Sequence, residues 1–149
     1  MAALAASGCS VNNPVSDDKA RTPPAQLAPD VAIATRALAE ITALRAAVSE
    51  TLSRYPDSRG QLRPLVQMHR THERTLVDAV PEQARPTAKP APFVVPRKRT
   101  AALHKLATRE HRLHDSLGRL ALRAQSGDFA RLLASMGSAT NQRLSVWSS

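Results

Sequence analysis

Prolines divide an otherwise helix-forming chain. Downstream of Pro29, apolar residues recur at helical spacing, but the pattern breaks at Tyr55-Pro56-Asp57 and again across residues 81–96 (PEQARPTAKPAPFVVP), which hold five prolines. A proline removes a backbone donor and its ring collides with the preceding turn, so a helix cannot run through such a segment. Aromatic residues make up only 3% of the 149 residues, and the apolar content is Ala, Leu and Val. Those residues favour helices over pleated sheets, and the chain reads as all-α.

Four helical stretches follow. Val31, Ala34, Leu38, Ile41, Leu44, Val48 and Leu52, at steps of three and four, predict a helix over 30–55 with Asp30 as its N-cap behind Pro29. Leu62, Leu65, Val66, His69, His72, Leu76, Val77 and Val80 predict a second over 60–80, with Pro64 in its first turn or kinking it and Pro81 closing it. A third, over 97–125, carries Leu103, Leu106, Leu113, Leu117, Leu120 and Ala124. Ser126-Gly127-Asp128 supplies its stop and the N-cap of a fourth over 128–147, with Phe129, Leu132, Leu133, Met136, Leu144 and Trp147. Each hairpin has apolar stripes that it cannot bury alone. The expected architecture is one domain over 30–149, an antiparallel four-helix bundle of two hairpins joined by the proline-rich crossover 81–96.

The formal net charge is +9, and residues 97–126 account for most of it. Arg97, Lys98, Arg99, Lys105, Arg109, Arg112, Arg119 and Arg123 stand there against Glu110 and Asp115. Helical phasing groups Lys105, Arg109, Arg112, Arg119 and Arg123 on one side of the third helix. Such a stripe suits anionic lipid, a cell-wall polymer or an acidic protein partner, and it is also what an ordinary solvated helix face looks like. Nucleic acid is not expected, because the basic face lacks aromatic residues for base stacking.

Cys9 is the only cysteine, which rules out an internal disulfide and a thiolate metal cluster. Its setting, Leu4-Ala5-Ala6-Ser7-Gly8-Cys9-Ser10, resembles the end of a bacterial lipoprotein signal, in which the cysteine is acylated. Ala6 departs from the larger aliphatic residue usual there, and the eight preceding residues are too few for a whole signal, so this segment reads as its tail with the true start upstream. Residues 10–29 are polar, proline-bearing and aperiodic, as a membrane tether would be. The expected location is the extracytoplasmic face of the cell membrane; the alternative is a cytoplasmic chain with an incidental cysteine.

Four of the five histidines lie in two copies of one pattern, His69-Arg70-Thr71-His72-Glu73 and His111-Arg112-Leu113-His114-Asp115. Imidazole and carboxylate are the groups from which metal and proton-transfer sites are made. Phasing the second helix from Leu62 puts His69 and Glu73 within about 40° of its apolar centre, and phasing the third from Leu103 puts Glu110 and His114 within about 20°. His72 and His111 fall nearer the flanks. The inward set is therefore His69, Glu73, Glu110 and His114, each helix giving an acid and an imidazole at i, i+4. Two readings remain open: a transition-metal site (Fe, Mn or Zn), to which His72 and His111 could add ligands, or a structural network pairing His69 with Glu110 and His114 with Glu73.

With hairpin, crossover, hairpin order, an inward His and Glu set, and Leu132-Leu133-Ala134-Ser135-Met136-Gly137-Ser138-Ala139 in the last helix, residues 30–149 resemble the small ferritin-like lipoproteins of actinobacteria. The resemblance implies a ferritin-like bundle. In that group the Leu-Leu-Ala-Ser run is usually followed by a histidine, and Arg143 stands about there in this chain. A working di-iron site also needs Glu-x-x-His motifs, and none is present. The expectation is a membrane-anchored, ferritin-like protein without catalysis, with weak or vestigial metal binding or none. The alternative is a cationic module that docks on anionic lipid, cell-wall polymer or a protein partner. Phe129 and Trp147, near the ends of the fourth helix, could serve a homodimer interface.

Overall fold

The computed structural model describes residues 28–147. Cys9, the signal-like segment around it and most of the tether lie outside the described residues. Four helices pack against one another: α1 (Pro29–Arg54), α2 (Arg59–Ala79), α3 (Arg99–Arg123) and α4 (Gly127–Trp147). The described residues contain no strand. None of the described helices is long and apolar enough to cross a membrane.

α1 begins at Pro29, whose missing N–H costs nothing in a first turn. Ala28 occupies the N-cap position and no side chain caps α1, contrary to the cap expected from Asp30. Asp30 instead reaches the turn between α3 and α4, where Oδ1 accepts from the Gln125 N–H (2.8 Å) and Oδ2 from the Ser126 N–H (2.9 Å). Its two oxygens satisfy two amides that the turn leaves free, so one carboxylate fastens the start of α1 to the far end of α3. Ser126 caps α4 as its position suggests, Oγ accepting from the Phe129 N–H at 3.3 Å.

The core is built from single stripes. α1 buries Ile33, Ala37, Ile41, Leu44 and Val48; its alanines let neighbouring helices approach. α2 buries Leu62, Leu65, His69, His72 and Leu76, a strict alternation of three and four residues that includes two imidazoles. Pro64 stays inside α2. α3 buries Ala102, Leu106, Glu110, Leu113, Leu117 and Leu120, and α4 buries Leu133, Met136, Gly137, Thr140 and Leu144. A side chain at Gly137 would place its Cβ 3.6 Å from Leu117 Cβ and from His114, so α3 and α4 lie close at this level. Phe129 and Trp147 are partly buried against the core, and Arg143 is exposed.

The connection between α2 and α3 is more structured than its prolines suggest. Glu82–Ala84 forms one 3-10 turn, correcting the expectation that no part of 81–96 is helical. The Arg85 guanidinium donates to the Val80 and Val77 carbonyls, both at 3.2 Å, the second of which also accepts the Val80 N–H, and so caps the end of α2. Further on, Phe93 is buried, with Lys105 Nζ 4.8 Å and Arg109 Cζ 4.6 Å from its ring centre. Lys105 also donates to the Val94 carbonyl at 3.0 Å. The Tyr55 hydroxyl donates to the Pro96 carbonyl at 2.6 Å, tying the end of the crossover to the α1–α2 turn.

Candidate functional site

The stripes of α2 and α3 meet at one polar point in the core. His69 Nε2 lies 2.8 Å from Glu110 Oε1, and neither side chain is exposed to solvent at all. A carboxylate can only accept, so Nε2–H of His69 is the donor. The bond joins two helices that share little other contact. His72 sits beside it, its ring edge-on to that of His69 with centres 6.3 Å apart. Burial, and then electrostatic repulsion from the neighbouring His69, lower the His72 pKa from 6.5 to about 4. His72 is therefore neutral near pH 7.

His69 Nδ1, His72 Nδ1 and Glu110 Oε2 have no hydrogen-bond partner among the described residues. A buried polar atom without a partner is costly, so this cluster is the least satisfied part of the core. His69 and Glu110 face inward, as helical phasing predicts; His72, which the same phasing puts nearer the flank, is buried instead. The reason lies in the choice of phase: Leu62 stands at one edge of the buried stripe of α2, and measured from the stripe's centre His72 is only about 40° away.

The other expected members lie elsewhere. Glu73 turns to α1, where Oε2 is 2.6 Å from Arg45 Nε and its side chain is 15% exposed. The contact lacks the angle of a hydrogen bond, and Arg45 Nε–H is without an acceptor. His114 is half-buried and faces α4, where its Nδ1–H donates to the Gly137 carbonyl at 3.0 Å. Leu103, like Leu62, marks the edge of its stripe, and from the centre of the α3 stripe His114 is roughly 85° away. The predicted pairing of His69 with Glu110 is present; that of His114 with Glu73 is replaced by these two contacts. His111 is exposed, at the edge of a groove of about 180 Å³ that His104 and Trp147 also line.

A carboxylate-bridged metal centre does not fit this arrangement. Among the described residues no three His, Cys, Asp or Glu side chains are grouped so as to hold a metal ion. Among the described residues Glu110 is the one carboxylate that reaches the cluster, and its near oxygen is already bonded to His69. Neither His69 nor Glu110 lines the groove beside Trp147, the groove between α1 and α3, or the groove between α1, α2 and the crossover. The pair is sealed from solvent and joins α2 to α3.

The basic residues of α3 divide into two groups. Lys105 and Arg109 are half-buried on Phe93, which removes them from the open stripe expected from phasing alone. Arg112, Arg119 and Arg123 are exposed, and among the described residues none has a carboxylate within 4.0 Å. Between α1 and α3 runs a groove of about 420 Å³, lined by Arg36, Arg109, Arg112 and Arg119 with Glu40 as its acid. Arg36 Nε and Glu40 Oε1 are paired at 3.0 Å, which neutralises that acid. No signal in the sequence showed that α1 would bring Arg36 to this face, because the pairing of α1 with α3 is a tertiary fact. No family model, curated protein or solved structure matches the chain.

Proposed function

We propose that the chain is a non-catalytic, envelope-tethered helical bundle of ferritin-like order, which docks on an anionic lipid surface through the arginine face of α3. The observation that carries the docking is the set Arg112, Arg119 and Arg123, exposed and without carboxylate partners among the described residues, beside the arginine-lined α1–α3 groove. Unpaired guanidinium groups on a rigid helix concentrate positive potential and suit phosphate groups, which they can grip through two donors at once. Phe93, the aromatic ring next to this face, is buried beneath Lys105 and Arg109 and is not free to stack on a base.

The antiparallel, ferritin-like order is supported by two contacts at opposite ends of the bundle. Asp30 holds the α3–α4 turn near the start of α1, and Tyr55 holds Pro96 near its end. α1 and α3 then run in opposite directions, and the crossover travels the length of the bundle. The tether rests on the lipoprotein-like segment Leu4–Ser10. A lipid anchor would hold the bundle within reach of the headgroups that the arginines recognise.

Sedimentation with vesicles tests the docking. The protein is expected to co-sediment with phosphatidylglycerol vesicles and not with phosphatidylcholine vesicles. Replacing Arg112, Arg119 and Arg123 together with Ser is expected to weaken binding sharply without altering helicity, since all three side chains are exposed. Undiminished binding by this variant would refute the assignment.

A further inference from the structure

A second groove, on the side of the molecule formed by α1, α2 and crossover residues 85–90, encloses about 1100 Å³. Ligand pockets commonly span about 300–1,000 Å³, so this space is large enough for an extended small molecule. Its floor is apolar, made of Leu38, Ala39 and Ala43 from α1 and Val77 from α2. Its wall is held in place, because Arg85 anchors the crossover to the α2 carbonyls.

The polar side chains around that floor carry an imbalance. Five basic residues line the groove against two carboxylates, Glu73 and Asp78. Glu73 is taken by Arg45, and Arg85 is committed to backbone acceptors. Arg70, Arg74 and Lys89 remain at the rim, exposed and, among the described residues, with no carboxylate within 4.0 Å. An apolar trough edged by three cations against one free carboxylate, Asp78, keeps a positive excess and is complementary to a molecule with a hydrocarbon body and an anionic end.

We propose that this groove binds a single-chain anionic amphiphile, its alkyl chain along Leu38, Ala39, Ala43 and Val77 and its acidic head at Arg70, Arg74 and Lys89. The site is separate from the arginine face of α3, so each stands or falls on its own test.

Calorimetric titration of the full chain with dodecyl phosphate below its micellar concentration supplies that test. The expected result is saturable binding of one molecule per chain. Replacing Arg70, Arg74 and Lys89 with Gln is expected to weaken it at least tenfold, and Ala39→Leu, which narrows the floor, is expected to weaken it as well. If Ala39→Leu does not fold, the three exposed Gln substitutions still decide the matter. Inorganic phosphate is expected to bind far more weakly, as is dodecanol, which has the same tail and no charge. Phosphate binding as well as dodecyl phosphate would reduce the site to an anion patch and overturn the proposal. So would equal binding of dodecanol, no binding at all, or binding indifferent to the Gln substitutions. The Arg112, Arg119 and Arg123 variant is expected to keep dodecyl phosphate binding intact, and its loss there would also count against a separate groove.

Discussion

His69 on α2 and Glu110 on α3 are bonded at 2.8 Å in the interior of the bundle, with no exposure of either side chain. Removing one partner leaves the other buried and unpaired, which costs about 3–5 kcal/mol. His69→Ala and Glu110→Ala are each expected to lower stability by that order, measured by urea unfolding. The double variant His69→Ala with Glu110→Ala should lose less than the sum of the two single effects, giving a coupling of about 1–3 kcal/mol. Additive losses would show that the two side chains do not act as a pair.

His72 gives the fold a pH dependence. In the unfolded chain its imidazole takes up a proton below its ordinary pKa of 6.5, whereas in the fold burial and the neighbouring His69 hold that pKa to about 4. Between these values the unfolded state binds more protons, so stability falls as the pH drops through that window. The loss attached to this group is on the order of 2 kcal/mol. Comparing urea midpoints at pH 7 and pH 4.5, the native chain should lose stability that His72→Leu retains. An identical pH response in the two proteins would remove His72 as the cause.

Asp30 makes a prediction that its place at the head of α1 would not suggest. As a cap of α1 its loss would fray the first turn alone, but its carboxylate bonds Gln125 and Ser126 of the α3–α4 turn. Asp30→Ala is expected to cost about 1 kcal/mol. It should also raise hydrogen exchange at the Gln125 and Ser126 amides. Unchanged exchange there, with faster exchange in α1, would support a simple cap.

Metal ions are expected to leave the fold unaffected, because Glu73 is held by Arg45 and His114 by Gly137 rather than by a common centre. Adding Zn(II), Mn(II) or Fe(II) in stoichiometric excess should leave the melting temperature unchanged. A rise of several degrees that is lost in Glu110→Gln would mean that the cluster rearranges to bind metal.

The helices were legible because three and four residue spacing and proline breaks are local properties of the chain. Neighbours were not. Phasing gave the face of Glu73 but not Arg45, which reaches it from α1, and choosing Leu62 and Leu103 as centres moved His72 out of the core and His114 into it. Phe93 belongs to no periodic stretch and so carries no sequence signal; it is buried by the crossover folding back onto Lys105 and Arg109. The unpaired arginines of α3 were legible as charge, while the contribution of Arg36 depended on which helix lay alongside.

The central claim is that Arg112, Arg119 and Arg123 hold an anionic lipid surface, and its most direct measurement is the salt dependence of vesicle binding. Binding to phosphatidylglycerol vesicles should weaken steeply between low and physiological ionic strength, because exposed charges are screened over about 8–10 Å there. The triple Ser variant should bind weakly at low salt and show a nearly flat dependence. Equal affinity and equal salt dependence in the two proteins would contradict the account.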